Sequence, residues 1–245
     1  MINLLLGTFA CIIGVFIVKK FKELYPKYRH VIPLILYGII YLSWFCYLEQ
    51  TVTKQYTVIH MGIDDYIPFC EVFVIPYMLW FAYVAVVVLY FLLKDKTDYY
   101  RVCAFLATGM TIFLVISTLW PNGHHLRLGE FPRDNIFTRM VASLWKTDTP
   151  TNLWPSIHVY NSIGAHIAIA KSKHFENRKG IRIASFILAT SIILATVFIK
   201  QHSVFDVLTA FALSAIMYLV IYRYDLILAI KQSLRRDKKS RTQIG

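Results

Sequence analysis

Apolar and polar stretches alternate along the chain at a spacing that suits a bilayer. Apolar runs cover Leu4–Val18, Val31–Leu48, Pro68–Leu93, Arg101–Trp120, Pro155–Ala170, Ile181–Ile199 and Ser203–Tyr222. Several approach the ~20 residues a helix needs to cross the hydrocarbon core. Between them lie polar connectors: Glu49–Ile67, the short charged Lys94–Tyr100, the long Pro121–Leu153 and the basic Lys171–Gly180. The pattern predicts an all-α polytopic membrane bundle. By this pattern residues 1–30 are an N-terminal membrane helix with a basic connector, 31–223 a six-helix membrane domain, and 224–245 a basic tail. Leu4–Val18 lacks a preceding basic residue and a small-residue cleavage site, so it reads as an extra helix rather than a secretory signal. Pro76 inside its run predicts a kink. Glu71, close behind Asp64 and Asp65, reads as an interfacial carboxylate.

Composition agrees: 57% of the 245 residues are hydrophobic and 16% charged, against roughly half and one quarter in soluble domains. The net charge is +12. In a soluble chain that excess points to nucleic acid. Here its distribution assigns it to membrane lipids, with no nucleic-acid partner. Of the Lys and Arg residues, 20 fall on one set of alternate connectors and 6 on the other. The positive-inside rule puts the first set, including the C-terminus, in the cytoplasm. The protein is thus expected in the cell membrane, with the 121–153 loop and the heads of the Pro155 and Ser203 helices on the extracytoplasmic side. Cys11, Cys46, Cys70 and Cys103 lie in or beside apolar runs without CxxC spacing and read as buried small hydrophobes.

Two polar knots carry the candidate chemistry. In Lys200-Gln201-His202-Ser203-Val204-Phe205-Asp206, His202 and Asp206 are one helical turn apart. A carboxylate there accepts the imidazole Nδ1–H and leaves Nε2 as a nucleophile. Ser203-x-x-Asp206 also reads as a capping box. The second knot, Trp154-Pro155-Ser156-Ile157-His158, opens another apolar run, with Pro155 suited to a first helical turn. Helix alternation puts both knots at the same membrane face. Phosphoryl transfer needs a nucleophile, an acid for the leaving oxygen and fixed positive charge. His202 with Asp206, His158, and Arg127 with Lys200 supply these in turn. Ser156 and free N–H groups at the start of its helix add anion donors. A zinc-like cluster of His124, His125, His158 and His202 can be drawn, but nothing in the spacing demands it.

Pro155-Ser156-Ile157-His158, followed after two membrane helices by His202-x-x-x-Asp206, resembles the type-2 phosphatidic acid phosphatase superfamily. Its pattern is Lys-x6-Arg-Pro, Pro-Ser-Gly-His and Ser-Arg-x5-His-x3-Asp, and the resemblance spans roughly Val31–Tyr222. Ile157 replaces the motif glycine. Ala195-Thr196 stand where Ser-Arg is expected, with Lys200 a substitute for the lost charge. In the first motif Trp120 holds the lysine position and Leu128 follows Arg127, leaving Arg133 or Arg139 as alternatives. The phosphate-binding set is therefore Arg127, Lys200, Ser156 and Ile157. A bulky residue in the Ile157 slot also looks like the inositol-phosphorylceramide-synthase-like branch, which moves a phosphoryl headgroup to another lipid. The resemblance implies a metal-independent reaction with no cofactor: His202 attacks phosphorus, His158 protonates the leaving group and Asp206 orients His202. A lipid phosphate or diphosphate phosphatase, a lipid phosphotransferase and a non-catalytic lipid transporter or binder are the three readings. The sequence names neither the lipid nor the oligomeric state.

Overall fold

The structure, a computed structural model, describes residues 29–225. The expected helix at Leu4–Val18 and nearly all of the 224–245 tail lie outside the described residues. The helices are α1 (Ile32–Thr51), α2 (Val74–Lys94), α3 (Lys96–Leu119), α4 (Ile136–Thr147), α5 (Ile157–Lys171), α6 (Lys179–Phe198) and α7 (Val204–Tyr218). A π-helical turn, Leu219–Arg223, extends the last. Within α1 the chain divides at Leu42/Ser43 into two compact units. The described part of the first is the 3-10 turn Arg29–Val31 and the opening of α1; apart from the length of α1, everything below concerns the second.

Among the described residues, five helical stretches are long and apolar enough to cross a membrane: Arg29–Thr51, Glu71–Lys94, Lys96–Leu119, Lys179–Phe198 and Val204–Arg223. Their outward faces are apolar too: Phe81, Val86 and Leu89 on α2, Ile183, Phe186 and Ile187 on α6, and Leu208, Phe211 and Ile216 on α7 are all exposed. Such surfaces suit lipid, and the molecule is a multi-pass membrane protein. The run expected as a further span, Pro155–Ala170, is α5. Its 15 residues rise only about 22 Å, short of a ~30 Å hydrocarbon core.

Helix α5 is instead the centre of the bundle, packed against α2, α3, α6 and α7. It can sit there because its buried positions include Ser162, Gly164, Ala165 and Ala168, which let neighbouring backbones approach. The crossing with α3 is close. The Tyr160 ring stacks on Phe105 at 4.6 Å, and its hydroxyl donates to the Phe105 carbonyl at 2.8 Å. Gly109 lies under Tyr160 and Gly164 under Phe105; a Cβ at either would fall 2.0 or 2.5 Å from the ring.

Three local expectations are corrected. Pro76 does not kink a helix interior: α2 starts at Val74, so Pro76 falls in the first turn, where its missing N–H costs no intrahelical bond. The 94–100 connector shrinks to Asp95, because its side chain accepts from the Thr97 and Asp98 amides and starts α3 at once. The polar 121–153 stretch contains α4, capped by Asn135, which accepts from the Phe137 and Thr138 amides. Phe137, Val141, Leu144 and Trp145 follow helical spacing and pack on Val74, Tyr77, Ala195 and Ile199. A two-residue parallel pairing, β1 (Thr57–Val58) with β2 (Asn122–Gly123), ties the 52–67 and 121–153 segments together.

Candidate active site

The site is built where α6 ends and α7 begins. Lys200, at φ 55°, closes α6 in a Schellman arrangement. The Gln201 amide donates to Thr196 O at 2.9 Å and the Lys200 amide to Val197 O at 3.2 Å. A left-handed position normally favours glycine. Lysine is held there by its head group, since Nζ donates to the carbonyls of Asp64 at 2.9 Å and Ile67 at 2.6 Å. The turn delivers His202 to the mouth of α7, 4% exposed.

Ser203 caps α7. Its Oγ accepts from the Phe205 amide at 3.1 Å, and Asp206 Oδ2 reciprocates from the Ser203 amide at 3.0 Å, completing a capping box. The same oxygen lies 3.4 Å from His202 Nδ1. Cap and imidazole support are therefore one group. Across the site, Ser156 caps α5, its Oγ accepting from the Val159 amide at 3.4 Å. The Ser156 amide donates to Asp206 O at 3.3 Å, joining the heads of α5 and α7. As the second residue of α5, His158 is half-buried between the rings of Tyr77 and Trp80, at 4.6 and 4.3 Å.

His158 Nδ1 is 3.4 Å from His202 Nε2. With the Asp206 carboxylate accepting at Nδ1, Nε2 of His202 carries the lone pair and the His158 Nδ1–H donates to it. Burial, aided by the Arg127 cation, holds the His202 imidazole at a pKa of about 3. His202 is thus neutral.

Arg127 reaches this pair through Gln201. It donates to the C-terminal carbonyls of α4 at Trp145 (2.9 Å) and to Asp148 (2.8 Å), satisfying acceptors that a helix end leaves open. It also donates to Gln201 Oε1 at 2.6 Å. Gln201 Nε2 donates to Asp148 Oδ2 at 3.0 Å, and Tyr77 Oη lies 3.4 Å from that oxygen. Burial pushes the Asp148 carboxyl up to about 6, with Glu49 adding and Arg127 opposing.

The structure thus brings together Ser156, His158, His202 and Asp206, with Ile157 half-buried as the first residue of α5. Lys200 directs its ammonium to the 64–67 backbone, and the Arg127 donors go to α4 and Gln201. The alternative arginines stand in ion pairs, Arg133 with buried Glu71 at 3.4 Å and exposed Arg139 with Asp134 at 3.8 Å. Pro155 lies just outside α5, because Ser156 is the cap. Both His124 nitrogens are engaged by backbone: Nε2–H donates to Gln201 O at 3.0 Å and Nδ1 accepts from the Leu126 amide at 3.1 Å. Burial holds its pKa at about 3.

Sequence reasoning missed Gln201 and Asp64. Gln201 sits beside a recognised histidine, and its polarity between apolar runs was a usable signal. Asp64 accepts from Ser203 Oγ at 2.6 Å and the Val204 amide at 2.8 Å, and nothing local to its own segment announces that. In comparisons with protein families, with curated proteins and with solved structures, nothing matches this chain.

Proposed function

We propose that this protein is an integral membrane phosphatase that hydrolyses a lipid phosphate or lipid diphosphate through a phosphohistidine. The observation that carries the reading is the chain Asp206 Oδ2–His202–His158, with both contacts at 3.4 Å, set at the mouths of two joined helices. Its residue types are those of the type-2 phosphatidic acid phosphatase pattern. A neutral imidazole with its Nδ1–H fixed by a carboxylate is a nucleophile, and a second imidazole beside it is a proton carrier.

In the proposed reaction the phosphoryl group enters between the two histidines and opens their contact. His202 Nε2 forms the P–N bond as the bond from phosphorus to the leaving oxygen breaks. That oxygen takes its proton from the His158 imidazolium, whose charge the incoming phosphate dianion favours. Water then attacks phosphorus, gives its proton to His158, and releases phosphate and His202. The seven Lys and Arg residues from Arg223 onward support a cytoplasmic C-terminus, and the single crossing by α7 then puts its head, and the site with it, on the extracytoplasmic side. A second reading, transfer to a lipid hydroxyl instead of water, is favoured by Ile157, whose bulk at the head of α5 replaces a glycine.

The test uses the full chain in detergent micelles, with chelator present. Phosphate release is measured from phosphatidate, phosphatidylglycerol phosphate and a polyprenyl diphosphate. Release without an added acceptor lipid, lost in His202→Ala and His158→Ala, supports the phosphatase. Turnover only with an acceptor lipid selects the transferase. Turnover undiminished in His202→Ala removes the mechanism, and no turnover with any lipid leaves the non-catalytic binder.

A further inference from the structure

We infer that Asp64 is a positioning residue for the nucleophile: it frees Asp206 to hold His202 by taking over part of the capping of α7. This inference rests on the phosphohistidine reading.

A helix start exposes amide donors that must find acceptors. At α7 the Phe205 amide goes to Ser203 Oγ, the Asp206 amide to Ser203 O at 3.1 Å and the Ser203 amide to Asp206 Oδ2. The Val204 amide goes to Asp64 Oδ1 at 2.8 Å. Asp64 Oδ2 accepts from Ser203 Oγ at 2.6 Å and from the Met61 amide at 2.8 Å. Asp64 is 2% exposed and Ser203 fully buried, so the Ser203 hydroxyl has no water as a substitute for Asp64.

The allocation matters because Asp206 has two duties. Its Oδ2 serves both the Ser203 amide and His202 Nδ1. Remove Asp64, and the buried Ser203 hydroxyl and the half-buried Val204 amide lose their acceptor. Asp206 is the carboxylate left at the head of α7. Turning toward the open donors draws it off His202 Nδ1. The imidazole then loses the partner that fixes its tautomer, and the Nε2–H form, which has no lone pair at Nε2, gains population.

Residue 64 also grips the other side of the nucleophile. Lys200 Nζ donates to the Asp64 carbonyl at 2.9 Å. His202 is therefore bracketed, with Lys200 before it and Ser203 and Val204 after it all bonded to one distant residue. A support of this kind acts on orientation and leaves substrate contacts untouched.

The test reads tautomer and rate together. Full-length protein labelled with ¹⁵N-histidine is examined in micelles, the His202 signal being the one lost in His202→Ala. Wild type should show the Nδ1–H form. Asp64→Ala and the isosteric Asp64→Asn should raise the Nε2–H fraction. Both should lower kcat on dioctanoyl phosphatidate by about 10–100-fold, as loss of an outer support does for other oriented histidines, with KM unchanged. Ser203→Ala, which removes the hydroxyl link alone, should give a smaller shift in the same direction. If Asp64→Ala does not fold, Asp64→Asn and Ser203→Ala decide. A wild-type tautomer ratio in both makes Asp64 a structural cap and overturns the inference. Wild type without turnover, or turnover retained in His202→Ala, sinks the functional reading instead, and the tautomer measurement still judges Asp64.

Discussion

His158 and His202 are 44 positions apart, yet their ring nitrogens approach to 3.4 Å. The approach follows from the Ser156 amide bonding to the Asp206 carbonyl, which fixes the heads of α5 and α7 side by side. The contact is asymmetric, because Asp206 touches only the His202 ring. The two histidines therefore differ in their surroundings, as the proposed division between nucleophile and proton carrier requires.

That asymmetry makes the two histidines separable by leaving group. A lipid alkoxide needs a proton to depart, whereas p-nitrophenolate needs little help. His158→Ala should thus retain a larger share of activity toward p-nitrophenyl phosphate than toward phosphatidate. His202→Ala should form no acid-labile phosphoenzyme with either. Steady-state rates on both substrates and acid-quench trapping check this. Equal leaving-group sensitivity in both mutants would contradict the division of roles.

The site was legible to the extent that it is local. His202 and Asp206 sit at i and i+4, so their pairing is written in four residues, and the Ser203 capping box overlaps it. Whether the box or the histidine support wins was posed as a choice; the geometry assigns Asp206 Oδ2 to both. Asp64 was illegible because its partners lie 139 and 140 positions away. Helix α4 was hidden by the polar residues of its outer face, although the apolar spacing from Phe137 to Trp145 was present. Lys200 was read from its charge alone. Its left-handed backbone follows from closing α6 within two residues of His202, and that requirement appears only once both helix ends are placed.

Lys200 distinguishes a clamp from a phosphate ligand. Its Nζ satisfies two carbonyls, and charge-assisted bonds of this kind contribute about 1.5–3 kcal/mol each. Lys200→Met should lower the thermal unfolding midpoint and kcat while KM for phosphatidate stays near wild type. Lys200→Gly should recover part of the stability, because glycine relieves the left-handed backbone. A rise in KM without loss of stability would instead place the ammonium on the substrate.

Arg127 should behave as a structural residue as well as an electrostatic one. It holds two carbonyls at the end of α4 together with Gln201. Arg127→Ala leaves these acceptors open and should destabilise the fold by about 2–4 kcal/mol. Arg127→Lys should rescue it only in part, since one ammonium cannot reproduce the planar fork. Thermal unfolding in detergent and phosphate release, measured on both variants, give the two effects separately.

The α3–α5 crossing tests whether the central helix can move without harming the site. A methyl at Gly109 would lie 2.0 Å from the Tyr160 ring, and Tyr160 is anchored by stacking and by its bond to Phe105 O. Overpacking typically costs about 1–3 kcal/mol. Gly109→Ala should cost at least that much, and because Tyr160 follows His158 by two residues, kcat should fall with it. A Gly109→Ala, Tyr160→Phe double variant should remain destabilised, since the clash is with ring carbons rather than the hydroxyl.

Acid sensitivity follows from burying neutral imidazoles. His124 and His202 are both held at about 3 in the folded protein, against about 6.5 in an unfolded chain. Between those values the unfolded state binds protons that the folded state refuses, so these groups make stability fall as pH drops below about 6.5. Asp148 acts oppositely. Its carboxyl is raised to about 6 from about 3.9, so its contribution is present at low pH and is lost as pH rises through 6. From pH 6 to 4 two histidines oppose one carboxyl, and these three groups leave a slope of about one proton, or roughly 1.4 kcal/mol per pH unit. The unfolding midpoint in detergent should therefore decline as pH falls from 6 to 4. His124→Gln removes one of these two groups and should make the decline shallower by about one proton's worth. Asp148→Asn removes the opposing group and should steepen it. A His124→Gln profile as steep as wild type would show that His124 is not held neutral by its burial against Gln201.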